Sequence, residues 1–106
     1  MSAISASQLA NYLQQASPLL LDVREPWEWA VSNLAERGAR LIPLGELDER
    51  IGEIPRDRPV VVYCRTGQRS MQAALRMAEA GFGQVANLRG GMVAWAAEVE
   101  PGLPVV

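Results

Sequence analysis

The chain has 106 residues, 49% of them hydrophobic, which is enough for one domain with one core and no need of metal or disulfide staples. Its ten basic residues are all arginine, and with twelve acids the formal charge is -2 at pH 7, a balance that argues against nucleic acid or an anionic membrane as principal partner. One cysteine and no histidine exclude an internal disulfide and a structural zinc site, and no cofactor is expected.

From Met1 to Ser17 there is neither a charged leader nor a long apolar run, and no stretch approaches membrane-spanning length. The expectation is a chain without signal peptide or membrane span, located in the cytoplasm, where a free thiol survives best. Ser5 or Ser7 caps a first short helix with Leu9, Ala10 and Leu13 at helical spacing, ending before Ser17-Pro18. Leu19-Leu20-Leu21-Asp22-Val23 is a continuous apolar run with one acid, the mark of a strand buried on both faces. Pro26 suits a first helical turn, and Trp27, Ala30, Val31 and Leu34 predict an apolar stripe on that helix.

Leu41-Ile42 reads as a brief strand closed by Pro43, and Leu44, Leu47, Ile51 and Ile54 predict one amphipathic helix stopping at Pro55. Val60-Val61-Val62-Tyr63 is the most strand-like segment and should be central. A polar loop leads to a helix marked by Met71, Ala74, Leu75 and Ala78, ending at Gly81, whose missing β-carbon suits a left-handed cap. Val85 to Leu88 forms the last strand, and Gly90-Gly91 precedes a final helix from Met92 to Glu98, stopped by Pro101. Met71 and Met77 are expected in the core, and the three tryptophans in packing roles, with Trp95 fixing the last helix to the sheet. Strands alternating with helices predict a parallel α/β sheet covered on both faces, folded as one domain over residues 1–106.

The segment that carries chemistry is Tyr63-Cys64-Arg65-Thr66-Gly67-Gln68-Arg69-Ser70, between the central strand and a helix. Ligands of open α/β sheets bind beyond the carboxyl ends of the strands, which is where Cys64 stands. A cysteine after four apolar strand residues is by itself more often a small core filler, but here polar residues, glycine and two arginines follow it into a helix start. Free N–H groups and the positive end of that helix favour an anion and depress a thiol pKa below its usual value of about 8.5 without a partner histidine. Amides from Arg65 to Ser70 could converge on the sulfur as a nest, with Gly67 permitting the curl. Arg65 and Arg69 could attract an anionic donor through paired hydrogen bonds.

At these residues the chain resembles the rhodanese family over nearly its whole length. Asp22-Val23-Arg24-Glu25 with Trp27-Glu28-Trp29, Ile42-Pro43-Leu44, the Cys64–Ser70 loop, and Leu88-Arg89-Gly90-Gly91 with Ala94-Trp95 look like that family's landmarks in order. The resemblance implies a five-stranded parallel sheet with helices on both faces, Cys64 as the catalytic residue, and a substrate-binding loop of Arg65, Thr66, Gly67, Gln68, Arg69 and Ser70. It further implies sulfur transfer from a small anionic donor such as thiosulfate to a thiol or thioredoxin-like acceptor, through a Cys64 persulfide. Asp22, Arg24 and Glu25 would form a structural polar network beneath the site. Ser32 to Ala39 departs from the family's usual Gly-His-Ile-Pro-Gly-Ala run and holds no histidine.

Two other readings compete with this one. A cysteine phosphatase or arsenate reductase of related fold would use a wider cradle, and only four residues separate Cys64 from Arg69. A non-catalytic module that carries sulfur or binds a partner belongs to a different class, although such modules commonly lose the cysteine. A serine hydrolase elbow and a Gly-Lys-Ser/Thr phosphate loop are both absent from the sequence.

Overall fold

A parallel strand covered on both sides needs apolar residues on both of its faces, and the computed structural model, which describes residues 1–106, shows two such strands at its centre. Five strands, β1 (Ser2–Ile4), β2 (Leu19–Asp22), β3 (Arg40–Leu41), β4 (Val60–Tyr63) and β5 (Val85–Leu88), form one wholly parallel sheet in the order β1-β5-β4-β2-β3. Every residue of β2 and β4 is buried. The helices are α1 (Ala6–Gln15), α2 (Pro26–Val31), α3 (Leu47–Arg50), α4 (Gln68–Glu79) and α5 (Gly91–Glu98).

Strand alternation divides the core into two layers. Leu19, Leu21, Val60, Val62 and Val85 point to one face and pack with Leu47 of α3 and Ala73, Ala74 and Met77 of α4. Leu20, Val61, Tyr63 and Leu88 point to the other, against Leu9 of α1 and Met92 and Trp95 of α5. Cys64 extends the alternation of β4 by one residue, so its side chain joins the α4 face.

Local chemistry explains the helix ends. Ser5 caps α1 in a reciprocal box with Gln8: the Gln8 amide donates to Ser5 Oγ at 3.1 Å and the Ser5 amide to Gln8 Oε1 at 2.9 Å. α4 stops where Gly81 takes φ +95°, as its sequence position predicts. Between α2 and β3, the Ala35 amide donates to Asn33 Oδ1 at 2.9 Å and Leu34 enters the core, so the histidine-free segment makes a short 3-10 turn over Ala35–Arg37.

Several expectations need correction. β1 went unread, because three residues at a sheet edge carry no periodic signal. The helix expected from Leu44 to Ile54 is a 3-10 turn, the single turn of α3 and a second 3-10 turn. Gly45 and Gly52 weaken a continuous helix there, while Leu47 and Ile54 still turn inward. On α2 the predicted stripe is not the buried face: Trp27 is 62% and Val31 42% exposed, and Glu28 is buried. Met77 is in the core as expected, but Met71 is 41% exposed. α4 turns Ser70, Ala73, Ala74 and Met77 to the sheet, which puts Met71 and Leu75 outside.

Candidate active site

Beyond Tyr63 the chain leaves the sheet at its carboxyl edge, and its carbonyls and amides part company. The carbonyls of Cys64 and Arg65 turn toward the start of α5, accepting from Met92 N at 2.9 Å and Val93 N at 3.1 Å. Gly91 makes this approach possible: a β-carbon there would lie 2.4 Å from the Cys64 carbonyl oxygen and 2.6 Å from that of Arg65. Gly67, at φ +102°, then reverses the chain into α4.

This curl aims donors at the sulfur. Cys64 Sγ accepts from Gly67 N at 3.1 Å and Ser70 N at 3.4 Å, and the Ser70 hydroxyl lies 3.3 Å away. Burial of the side chain, 1% exposed, pushes the thiol pKa up. The Ser70 hydroxyl and the amides of Ser70, Gly67 and Thr66 outweigh it and bring the thiol below its ordinary value. The group is therefore a buried sulfur held among main-chain donors at the start of a helix, and not a sulfur surrounded by hydrocarbon alone.

The flanking charges are arranged in pairs. Arg69 Nη1 and Nη2 donate to Glu28 Oε1 and Oε2 at 2.7 and 2.9 Å, clasping α4 to α2. Hydrogen bonding from Arg69 holds the Glu28 carboxyl below its usual range against the opposing effect of burial. Beneath them Arg24 and Asp22, both fully buried, form an ion pair at 2.8 Å, and Arg24 also donates to the Ser32 carbonyl at 2.7 Å. Of the remaining loop residues, Arg65, Thr66 and Gln68 are exposed, and Arg65 Nε donates to the Val106 carbonyl at 2.6 Å.

The model of the rhodanese-like domain family matches residues 5–98. The chain belongs to the rhodanese-like sulfurtransferase family. A protein of Allochromatium vinosum named a sulfurtransferase is 46% identical over 88 residues, covering 83% of this chain and 78% of the relative. A probable adenylyltransferase/sulfurtransferase, MoeZ, of Mycobacterium tuberculosis is 38% identical over 105 residues, 96% of this chain, which spans only 26% of that protein. The crystal structure of a rhodanese-related protein from Thermoplasma volcanium superposes with a TM-score of 0.85 at 31% identity, covering 100% of this chain and 98% of the other.

Two residues of this rhodanese-like site escaped the sequence reading. Glu28 stands in the sequence only as part of the Trp27-Glu28-Trp29 landmark, with no role assigned, yet it also accepts from the Glu25 amide at 3.0 Å, so the Glu25-x-x-Glu28 spacing at the helix start was the available signal. Asn87 is the one polar residue of β5 and is buried. Its register opposite Val62 turns it to the α4 face, where it meets Ser70 and Gly67.

Proposed function

We propose that this chain moves a sulfane sulfur through a persulfide on Cys64. The observation that supports this reading most is the convergence of the Gly67 and Ser70 amides and the Ser70 hydroxyl on one sulfur at the carboxyl end of the central strand. Such donors stabilise negative charge on the thiolate before attack and on the terminal sulfur afterwards. In the first half-reaction the Cys64 thiolate attacks the outer sulfur of thiosulfate or a similar donor. A new S–S bond forms, the donor's own S–S bond breaks, and sulfite leaves with that electron pair. In the second, an acceptor thiolate attacks the terminal sulfur, and Cys64 departs as thiolate.

Arg65, Thr66 and Gln68 are the exposed loop side chains available to a donor, while Gly67 and Ser70 supply the bonds to sulfur. Arg69 serves by locking α4 against α2 through Glu28, and its engagement there favours a cradle for sulfur over one for a phosphate oxyanion. The acceptor in this proposal is a low-mass thiol or a thioredoxin-like protein, and the setting is a reducing cytoplasm. Incubation with thiosulfate and cyanide should yield thiocyanate, and Cys64→Ala should yield none. Retained turnover in Cys64→Ala refutes the proposal, and hydrolysis of an aryl phosphate without thiocyanate formation would favour a phosphatase.

A further inference from the structure

Ser70 has one hydroxyl hydrogen and two acceptors within reach, Asn87 Oδ1 at 2.5 Å and Cys64 Sγ at 3.3 Å. Only one can receive it at a time. The Asn87 amide is oriented by its own donor: Nδ2 donates to the Gly67 carbonyl at 3.2 Å, and turning the amide over would set oxygen against oxygen there. Asn87 Oδ1 therefore faces Ser70 and can only accept. At 2.5 Å the two oxygens need a hydrogen between them, so the resting hydroxyl points to Asn87 and presents a lone pair to sulfur. That lone pair matches a protonated thiol, not a thiolate.

We infer that Asn87 is a positioning residue that sets the acidity of Cys64 through Ser70, holding the hydroxyl hydrogen on itself while the sulfur is a thiol and yielding it when the sulfur becomes an anion. This deepens the proposed sulfur-transfer reading and rests on it for its purpose. Cys64 must act twice, first as nucleophile and then as leaving group. A very acidic thiol leaves well but attacks poorly, whereas an acidity near ambient pH serves both steps. The amides alone would favour the anion throughout, and competition from Asn87 moderates them. The charged groups on the surrounding elements are Asp22 at the end of β2 and Arg24 just after it, Glu28 on α2, Arg65 and Arg69 on the loop and α4, and Arg89 after β5. All of them are kept in the variants below, so their effect on the thiol cancels in the comparison.

The test is the pH dependence of Cys64 alkylation by iodoacetamide, followed by intact mass, in the wild type, Asn87→Ala, Ser70→Ala and the double variant. Asn87→Ala should lower the alkylation midpoint by up to about one pH unit, the scale of one hydrogen bond to an anion. Ser70→Ala should raise it, and the double variant should match Ser70→Ala, because without the hydroxyl Asn87 has nothing to withhold. Asn87→Leu, close to asparagine in size, repeats the measurement should the alanine variant not fold. The Gly67 carbonyl keeps its bond from Met71 N at 3.2 Å in either variant. A midpoint that is unchanged, or raised equally with and without Ser70, overturns the inference and leaves Asn87 as loop support. Alkylation needs no sulfur donor, so this cycle stands or falls separately from persulfide formation, which is read by mass after thiosulfate treatment.

Discussion

Replacing Gly91 by alanine should damage this protein far more than the same change at another glycine of positive φ. Gly91 has φ +56°, and an added β-carbon would stand 2.4 Å from the Cys64 carbonyl oxygen, 2.6 Å from the Arg65 oxygen and 2.7 Å from the Arg65 carbonyl carbon. All three are backbone atoms, which no rotamer change can clear. The left-handed conformation costs alanine about 1–2 kcal/mol, and overpacking adds about 1–3 kcal/mol. Stretching the bonds from Met92 N and Val93 N to the same two carbonyls forfeits up to about 1 kcal/mol each. The total of about 2–7 kcal/mol is a large share of the roughly 5–15 kcal/mol that hold a typical domain, and corresponds to a Tm drop of roughly 10 °C or more. Gly38, at φ +85° with no atom within 4 Å of a β-carbon, isolates the conformational part. Gly38→Ala should cost about 1–2 kcal/mol, or roughly 5–10 °C. Urea denaturation and calorimetry of the two variants measure the difference. Equal losses would refute the claim that the carbonyls of the loop are pinned beneath the start of α5.

Asp22→Asn leaves Arg24 charged and buried without its partner, and should cost about 3–5 kcal/mol by urea denaturation; a loss below about 1 kcal/mol would mean that water reaches the pair. Glu28 has its pKa lowered in the folded state, so the stability it adds is present above the unfolded carboxylate pKa of about 4.3 and is lost as pH falls through the lower folded value. The stabilities of wild type and Glu28→Gln, separated at pH 7, should converge in that acid window, and a gap that persists below it contradicts the ion-pair account. Cys64 has its pKa lowered as well, so alkylation of the folded protein should stay rapid below about pH 8.5, where a model thiol slows. Equal pH profiles for protein and free thiol would contradict the donor geometry.

Much of this arrangement was legible in the residues because burial and period agreed. Leu19 to Val23 and Val60 to Tyr63 are apolar on both faces, which only a covered parallel sheet accommodates, and the polar run after Cys64 marked the end of the central strand as a site. What stayed hidden depends on contacts between distant segments. β1 exists because β5 offers its backbone to Ser2, Ala3 and Ile4, and nothing in those three residues announces it. Arg69 reads in the sequence as a guanidinium for an anionic donor, and only the fold brings Glu28 of α2 against it, 41 positions away. Asn87 reads in the sequence only as one residue of the last strand, and its role appears only when parallel register sets it beside Val62 and under Ser70.

The central claim is that Cys64 accepts and yields a single sulfur atom. As the chain has one cysteine, intact mass spectrometry reads this without ambiguity of site. Incubation with thiosulfate should add one sulfur to the wild type and none to Cys64→Ala, and cyanide or a small thiol should remove it. An unmodified wild-type mass after treatment with thiosulfate and with low-mass persulfides, or the same addition on Cys64→Ala, would contradict the account.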